Sequence, residues 1–374
     1  MSTLARTDNS ILARWWWTVD RWNLAAVAVL AMTGAVLALA ASPPVAVRLG
    51  LDTYHFAGRQ VLYLGFGLFL VVCTSLLSPK GVRRLAMAVL AATMVLMVAV
   101  LAVGPEIKGA TRWLNLGPVS LQPSEFAKPA LAVTAAWFFA QARLQDGYPG
   151  NLVATGLFLM VAALMLMQPD VGMTMVVAAV WAVQFFLAGL PIVMVLGIGF
   201  AFLIASIGAY FTFGHVRARV DRFFDPSAGE GYQVMRSLDA FHNGGLTGRG
   251  PGEGRVKEVL PDAHTDFIFA VAGEEFGMLA CVAIVGLFAF VVIRGLSRAY
   301  KDDNLFVLLA SAGLLVQFAV QAMINLASTL HLIPPKGMTL PFVSYGGSST
   351  VAIALGFGMM LALTRLRPGE GGGR

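Results

Sequence analysis

Asp266 stands where a polar, glycine-rich stretch gives way to an apolar run, in Leu260-Pro261-Asp262-Ala263-His264-Thr265-Asp266-Phe267-Ile268-Phe269. Two readings fit that position. Thr265 or Asp266 can cap the following helix, because short polar side chains accept from the free N–H groups of a first turn. A carboxylate held partly out of water also has a raised pKa and makes a better general base. The two roles are compatible. Glu274 and Glu275 follow in the same run. Glu274 lies about 12 Å further along a helix and roughly 80° around it, and Glu275 faces nearly opposite Asp266. Carboxylates in an apolar helix normally face a bundle interior, paired with a cation of another helix or lining a wet cavity.

A second constellation runs through Arg112-Trp113 into Gln122-Pro123-Ser124-Glu125-Phe126-Ala127-Lys128. Pro123 suits a first helical turn, and Glu125 then sits near the positive helix end with Lys128 on the same face. An intrahelical pair explains both, but Lys128 lies several residues into an apolar run, where a charge needs a partner. Arg112 beside Trp113 suits a headgroup-level contact or a snorkelling anchor. Gln168-Pro169-Asp170 reads as a tight turn. Prolines around Lys336 hold a cation rigidly, as a phosphate ligand requires, and Ser344-Tyr345-Gly346-Gly347-Ser348-Ser349 supplies small residues for close helix packing. His and Cys are too scattered for a zinc site, and Ser348 and Ser349 lack a nucleophile elbow.

The stretch from Gly214 to His264 carries Arg217, Arg219, Arg222, Arg236, Arg249, Arg255 and Lys257, together with seven acidic residues and the run Gly248-x-Gly250-x-Gly252-x-Gly254. Balanced charges describe a solvated loop. Arginines and glycines together describe a site for an anionic ligand, with Arg249, Arg255, Lys257 and His264 as candidates. No strand–turn–helix unit surrounds the glycines, so this is not a dinucleotide fingerprint.

These groups must be positioned by an unusual chain. Of 374 residues, 58% are hydrophobic and only 12% charged, with mean hydropathy +0.76. Soluble domains carry about 25% charge, so an ordinary soluble enzyme and a disordered protein are both excluded. Cys73 and Cys281 lie in apolar runs and form no disulfide framework. Apolar runs fall at 23–43, 58–77, 83–104, 125–142, 150–168, 171–189, 191–213, 265–293, 304–331 and 340–364. Each can cross a bilayer, predicting an all-α polytopic membrane protein of about ten helices. The boundary between the sixth and seventh rests on Gly189 and Pro191.

Residues 1–22 form a polar lead-in whose Trp15, Trp16, Trp17 and Trp22 suit the headgroup level. Ala38-Leu39-Ala40 resembles a cleavage site, but the run is too long for a signal peptide and reads as an uncleaved span. Residues 23–364 form the transmembrane domain, with 214–264 a long outer loop between spans seven and eight, and 365–374 a flexible tail. Lys80, Arg83, Arg84, Arg143, Arg294, Arg298 and Lys301 share the face of the termini, which positive-inside places in the cytoplasm. The net charge of +6 therefore reports topology, and nucleic acid is not an expected partner. The absence of an internal repeat weighs against a transporter.

Taken together, Arg112-Trp113, Gln122-Pro123-Ser124-Glu125-x-x-Lys128, Gln168-Pro169-Asp170, Tyr232-Gln233, His264-Thr265-Asp266-Phe267-x-Phe269, Glu274-Glu275-x-Gly277, Lys336-Gly337-x-Thr339-Leu340-Pro341 and Ser344-Tyr345-Gly346-Gly347-Ser348-Ser349 resemble the SEDS family (shape, elongation, division and sporulation) of peptidoglycan glycosyltransferases. The resemblance runs from about Gly109 to Thr364. Gly248-Arg249-Gly250-Pro251-Gly252-Glu253-Gly254 and Pro261-Asp262-Ala263-His264 look like the alphaproteobacterial cell-division branch, although the elongation branch carries nearly the same motifs. Departures are Val171, Met173 and Pro335.

The resemblance implies an integral protein of the bacterial inner membrane at the division septum, polymerising lipid II on the outer face. Attack of a GlcNAc 4-hydroxyl on the anomeric carbon of MurNAc, with inversion, releases undecaprenyl diphosphate. Pyrophosphate leaves without protonation, so one base suffices where glycosidases use two carboxyls. Asp266 is the expected base. Arg112, Lys336, Arg249, Arg255, Lys257 and His264 are expected to meet the departing charge, with Glu125, Lys128, Glu274 and Glu275 in the bundle interior. A divalent cation, Mg2+ or Mn2+, shared by Asp266 or a pyrophosphate oxygen is compatible with the family, and no organic cofactor is expected. Implied partners are a class B penicillin-binding transpeptidase (FtsI-type) and FtsQLB-type divisome proteins. A lipid II flippase and a division scaffold remain open, since both could use the same bundle.

Overall fold

A computed structural model describes residues 10–107, 110–117, 119–212, 231–260, 262–334 and 336–366, with single positions at 214, 217 and 221. The last eight residues and the first nine, which include most of the expected tail and part of the lead-in, lie outside the described residues.

Each of the ten apolar runs carries a helix. α1 (Ile11–Thr18) is a short N-terminal helix, followed by α2 (Arg21–Arg48), α3 (His55–Ser75) and α4 (Pro79–Val103). Two small antiparallel hairpins come next, β1 (Glu106–Ile107) with β2 (Ala110–Thr111) and β3 (Leu114–Leu116) with β4 (Val119–Leu121). Then come α5 (Pro123–Leu144), α6 (Gly150–Met167), α7 (Val171–Leu187) and α8 (Ile192–Thr212). The expected outer loop is not irregular throughout: it contains α9 (Gly231–Gly244) and a single turn, α10 (Val256–Val259). The chain ends with α11 (Ile268–Ala299), α12 (Leu305–Thr329) and α13 (Gly347–Leu363). Six of these helices, α2, α3, α4, α6, α11 and α12, are long and apolar enough to cross a membrane by themselves.

Local chemistry accounts for most boundaries. Asp20 caps α2, accepting from the Trp22 and Asn23 amides, and Ser78 and Asn304 do the same for α4 and α12. Pro123 opens α5 from its first turn, as expected. The break between α7 and α8 falls at Gly189, whose φ of +98° few other residues adopt. The last run departs from expectation. Its helix starts at Gly347 rather than at 340, because Ser344 turns back to accept from the Leu340 amide and Gln60 donates to the Ser344 carbonyl. Residues 340–346 are therefore non-helical yet mostly buried. In a membrane such backbone is tolerated where protein surrounds it.

The core centres on α13, which is buried on nearly every side from Ser348 to Leu363; α3, α5 and α12 pack against it, while α8 presents Val193, Leu196 and Phe200 outward. This is the inverse of a soluble bundle, since lipid solvates the outer apolar surface. Phe318, Phe342 and Phe357 cluster at the α12–α13 seam.

Candidate functional site

Asp266 lies in the turn before α11 and is anchored through its main chain. Its amide donates to the Asp262 carbonyl at 3.1 Å, and its carbonyl accepts from Asn325 Nδ2 at 3.0 Å and Thr329 Oγ1 at 3.4 Å, both from α12. Asn325 Nδ2 also reaches the Met338 carbonyl, so one amide ties the Asp266 turn to the Lys336–Met338 segment. The capping expectation fails: the residue before α11 is Phe267, no side chain caps the helix, and Thr265 Oγ1 donates back to Asp262. The half-buried Asp266 carboxylate instead lies against the Lys336–Gly337 backbone, where a methyl group on Gly337 would stand 3.5 Å from Oδ2.

The Lys336 stem crosses the start of α7. A methyl group on Gly172 would sit 3.8 Å from Lys336 Cδ and 4.0 Å from Asp170 Oδ1. Asp170 is more than a turn residue. It caps α7 by accepting from the Met173 amide, and its Oδ2 lies 3.7 Å from Arg112 Nε. Burial pushes the Asp170 carboxyl above its ordinary range, and Arg112 pulls it back. Arg112 reaches in from the segment joining the two hairpins and donates to the Gln168 and Pro169 carbonyls. Gln168 in turn donates to Met97 of α4. Arg112, Asp170, Lys336 and Asp266 thus line one end of the bundle.

Beneath them runs a buried polar chain. Glu125 pairs with Lys128 at 2.8 Å, and Lys128 Nζ donates to Gln321 Oε1 at 2.9 Å. Gln321 Nε2 continues to the Thr339 carbonyl and Ser349 Oγ. The pair is therefore both intrahelical and tied to α12. Gln317, Gln321 and Asn325 were not singled out in sequence, although their spacing of four residues on an otherwise apolar helix is the signal for a polar seam.

Glu274 and Glu275 are buried as expected, and their partners come from the glycine-rich segment. Glu274 accepts from the Arg255 and Val256 amides, and Glu275 accepts from the Gly252 amide and pairs with Lys257. The glycine-rich run lies along the kink at Gly277, where φ is +78°, and the Gly245 and Leu246 carbonyls accept from the Met278 and Leu279 amides. Backbone groups released by the kink are thereby satisfied. Gly248 is required by contact as well as conformation, since a Cβ there would meet the Glu275 carbonyl at 2.2 Å.

The expected phosphate cations divide accordingly. Lys257 is buried against Glu275 and Gly252, which withdraws it from any ligand. Arg249 is exposed, 3.8 Å from Glu274, and Arg255 is exposed. His264 is buried between Phe56 and Tyr345, and desolvation lowers its pKa to about 4, so it is a neutral ring rather than a phosphate cation. Among the described residues no three His, Cys, Asp or Glu side chains gather into a metal site.

The cell cycle protein family FtsW/RodA/SpoVE matches residues 21–368. The chain belongs to this family. Among curated relatives, the "Probable peptidoglycan glycosyltransferase FtsW" of Caulobacter vibrioides is 46% identical over 369 residues, 98% of this chain and 95% of that one. The protein of the same name in Escherichia coli O157:H7 is 34% identical, over 91% of this chain and 85% of the relative. Two solved structures share the fold. One is a chain reported under "Structural coordination of polymerization and crosslinking by a peptidoglycan synthase complex", with TM-score 0.77, 30% identity and coverage of 93% and 98%. The other is the rod shape determining protein RodA of Thermus thermophilus, with TM-score 0.69, 29% identity and coverage of 93% and 97%. For this FtsW/RodA/SpoVE member, two of the segments that carried the sequence resemblance, those holding Asp266 and Met338, are joined through Asn325.

Proposed function

We propose that the protein polymerises lipid II into β-1,4 glycan strands at the outer face of the inner membrane, as a glycosyltransferase of septal wall synthesis. The observation that carries this reading is the Asp266 carboxylate against the Lys336–Gly337 backbone, with Arg112 and Asp170 beside the lysine stem. Asp266 takes the proton from the acceptor 4-hydroxyl as its oxygen attacks the anomeric carbon. The C–O bond to pyrophosphate breaks on the opposite face, inverting the centre. Lys336 and Arg112 stabilise the charge that develops on the departing diphosphate. Asn325 and Thr329 hold the base through its backbone carbonyl.

Both termini lie in the cytoplasm in this reading, with the 214–264 segment outside. A cysteine at Ser227 is then labelled by an impermeant reagent in intact cells and one at Ser297 is not; the reverse pattern inverts the site. A class B penicillin-binding transpeptidase is the chain's partner in this reading, with FtsQLB-type proteins as septal regulators. The rival class is transport. Glu274 and Glu275 are bound to the outer segment and cannot line a route across, which favours polymerisation. The direct test is glycan-strand synthesis from purified lipid II, with and without a cognate transpeptidase, alongside a transport assay on the same proteoliposomes. Transport without polymer overturns the proposal.

A further inference from the structure

Three rings meet beside the non-helical 340–346 stretch. Phe56 from α3, His264 from the turn before α11 and Tyr345 from the non-helical 340–346 stretch have centroids 4.7, 5.2 and 5.3 Å apart. The three come from sequence positions more than eighty residues apart, and backbone bonds hold two of them together: the Tyr345 amide donates to the His264 carbonyl at 2.9 Å. Phe56 and Tyr345 each keep part of their surface exposed, while His264 is only 6% exposed. Arg59 hydrogen-bonds the Tyr345 hydroxyl, and Tyr63 lies against the same ring. His264 Nδ1 is buried and has no hydrogen-bond partner among the described residues. Buried polar atoms of that kind are uncommon and call for a partner.

We infer that Phe56, His264 and Tyr345, rimmed by Arg59, form a subsite for one pyranose ring of the glycan substrate. A hexosamine has an apolar C–H face and an edge of hydroxyl and acetamido groups. An aromatic plate with polar handles matches both, the exposed parts of the Phe56 and Tyr345 rings covering the C–H face over the buried His264 ring, and the tyrosine hydroxyl and the guanidinium meeting the edge. A phosphate would call for more than one cation, and the histidine is uncharged at neutral pH. His264 stands two residues from Asp266 in one turn, so the subsite and the base are fixed relative to each other. The inference rests on the lipid II reading and deepens it.

The test compares three probes that share a prenyl diphosphate: lipid II, lipid I, which lacks the GlcNAc ring, and undecaprenyl diphosphate, which lacks both sugars. Binding is measured on full-length protein in nanodiscs, in an Asp266→Asn background that prevents turnover. Phe56→Leu should weaken lipid II binding about tenfold and leave undecaprenyl diphosphate unchanged. Lipid I identifies which ring is held: an undiminished lipid I affinity assigns the GlcNAc ring, a parallel loss the MurNAc ring. Tyr345→Phe keeps the ring and removes one hydrogen bond, so it folds where a larger change does not; it should cost about three- to tenfold for the same ligand alone. Equal losses for lipid II and undecaprenyl diphosphate, or no loss in either variant, overturn the subsite while leaving polymerisation by the wild type intact. A wild-type protein that makes no glycan and binds lipid II no better than undecaprenyl diphosphate overturns the underlying function instead.

Discussion

Asp266 and the Glu274–Glu275 pair are carboxylates at the start of the same apolar segment, and their surroundings could hardly differ more. The two glutamates are about 1% exposed, and their oxygens are occupied by three loop amides and the Lys257 ammonium. Asp266 is half-buried, and its amide and carbonyl are bonded to Asp262, Asn325 and Thr329. A carboxylate held by several protein donors has its geometry committed, which suits a brace. On the proposed function, the glutamates brace the glycine-rich segment and the aspartate transfers the proton.

The largest effect should come from Asp266→Asn. The side chain keeps its shape and the backbone bonds persist, so the fold is preserved while polymer formation falls about 10²–10⁴-fold. Activity within a few-fold of wild type, from protein shown to be folded and inserted, would dissolve the contrast. On the other side, Lys257→Met leaves Glu275 buried without its cation and should cost about 3–5 kcal/mol of stability. Adding Glu275→Leu should recover much of it, because the pair's desolvation penalty is then removed as well. Thermal unfolding in detergent reads both; a full loss of activity at unchanged stability would move the pair into the site.

Arg112→Ala and Lys336→Ala should each reduce polymerisation about ten- to hundredfold, from roughly 1.5–3 kcal/mol per charge-assisted contact, with melting temperatures near wild type. If instead activity only follows the folded fraction, both are structural, Arg112 through Gln168 and Asp170. His264 sharpens the comparison through pH. Its pKa falls from 6.5 unfolded to about 4 folded, so the unfolded chain binds more protons between those values. Stability is complete above pH 6.5 and declines as pH falls; at pH 5 about 2 kcal/mol is lost, and His264→Gln removes that dependence. A protein stabilised by acid in this window would have a charged histidine and restore the phosphate-ligand expectation.

Periodicity and length were legible in the linear chain. Ten apolar runs became ten helices because a segment with few charges has no stable alternative to internal hydrogen bonding in lipid. Motif order was enough to place the chain in its family, and Asp266 stood out because it sits at a polar–apolar boundary. Its capping role did not survive, since Phe267 stands directly before the helix and the turn folds back onto Asp262. Which cation meets which anion was decided by tertiary structure alone. Lys257 and Glu275 are 18 residues apart, Arg112 and the Gln168 and Pro169 carbonyls 56 and 57, and His264 and Phe56 come together only when α3 packs beside the last helix. Charge pairing and ring stacking depend on distance through space, which composition and local spacing do not encode. Residues 340–346 show the same limit: their apolar side chains read as helix, yet Gln60 and Ser344 capture the backbone from outside the segment and bend it beneath the site.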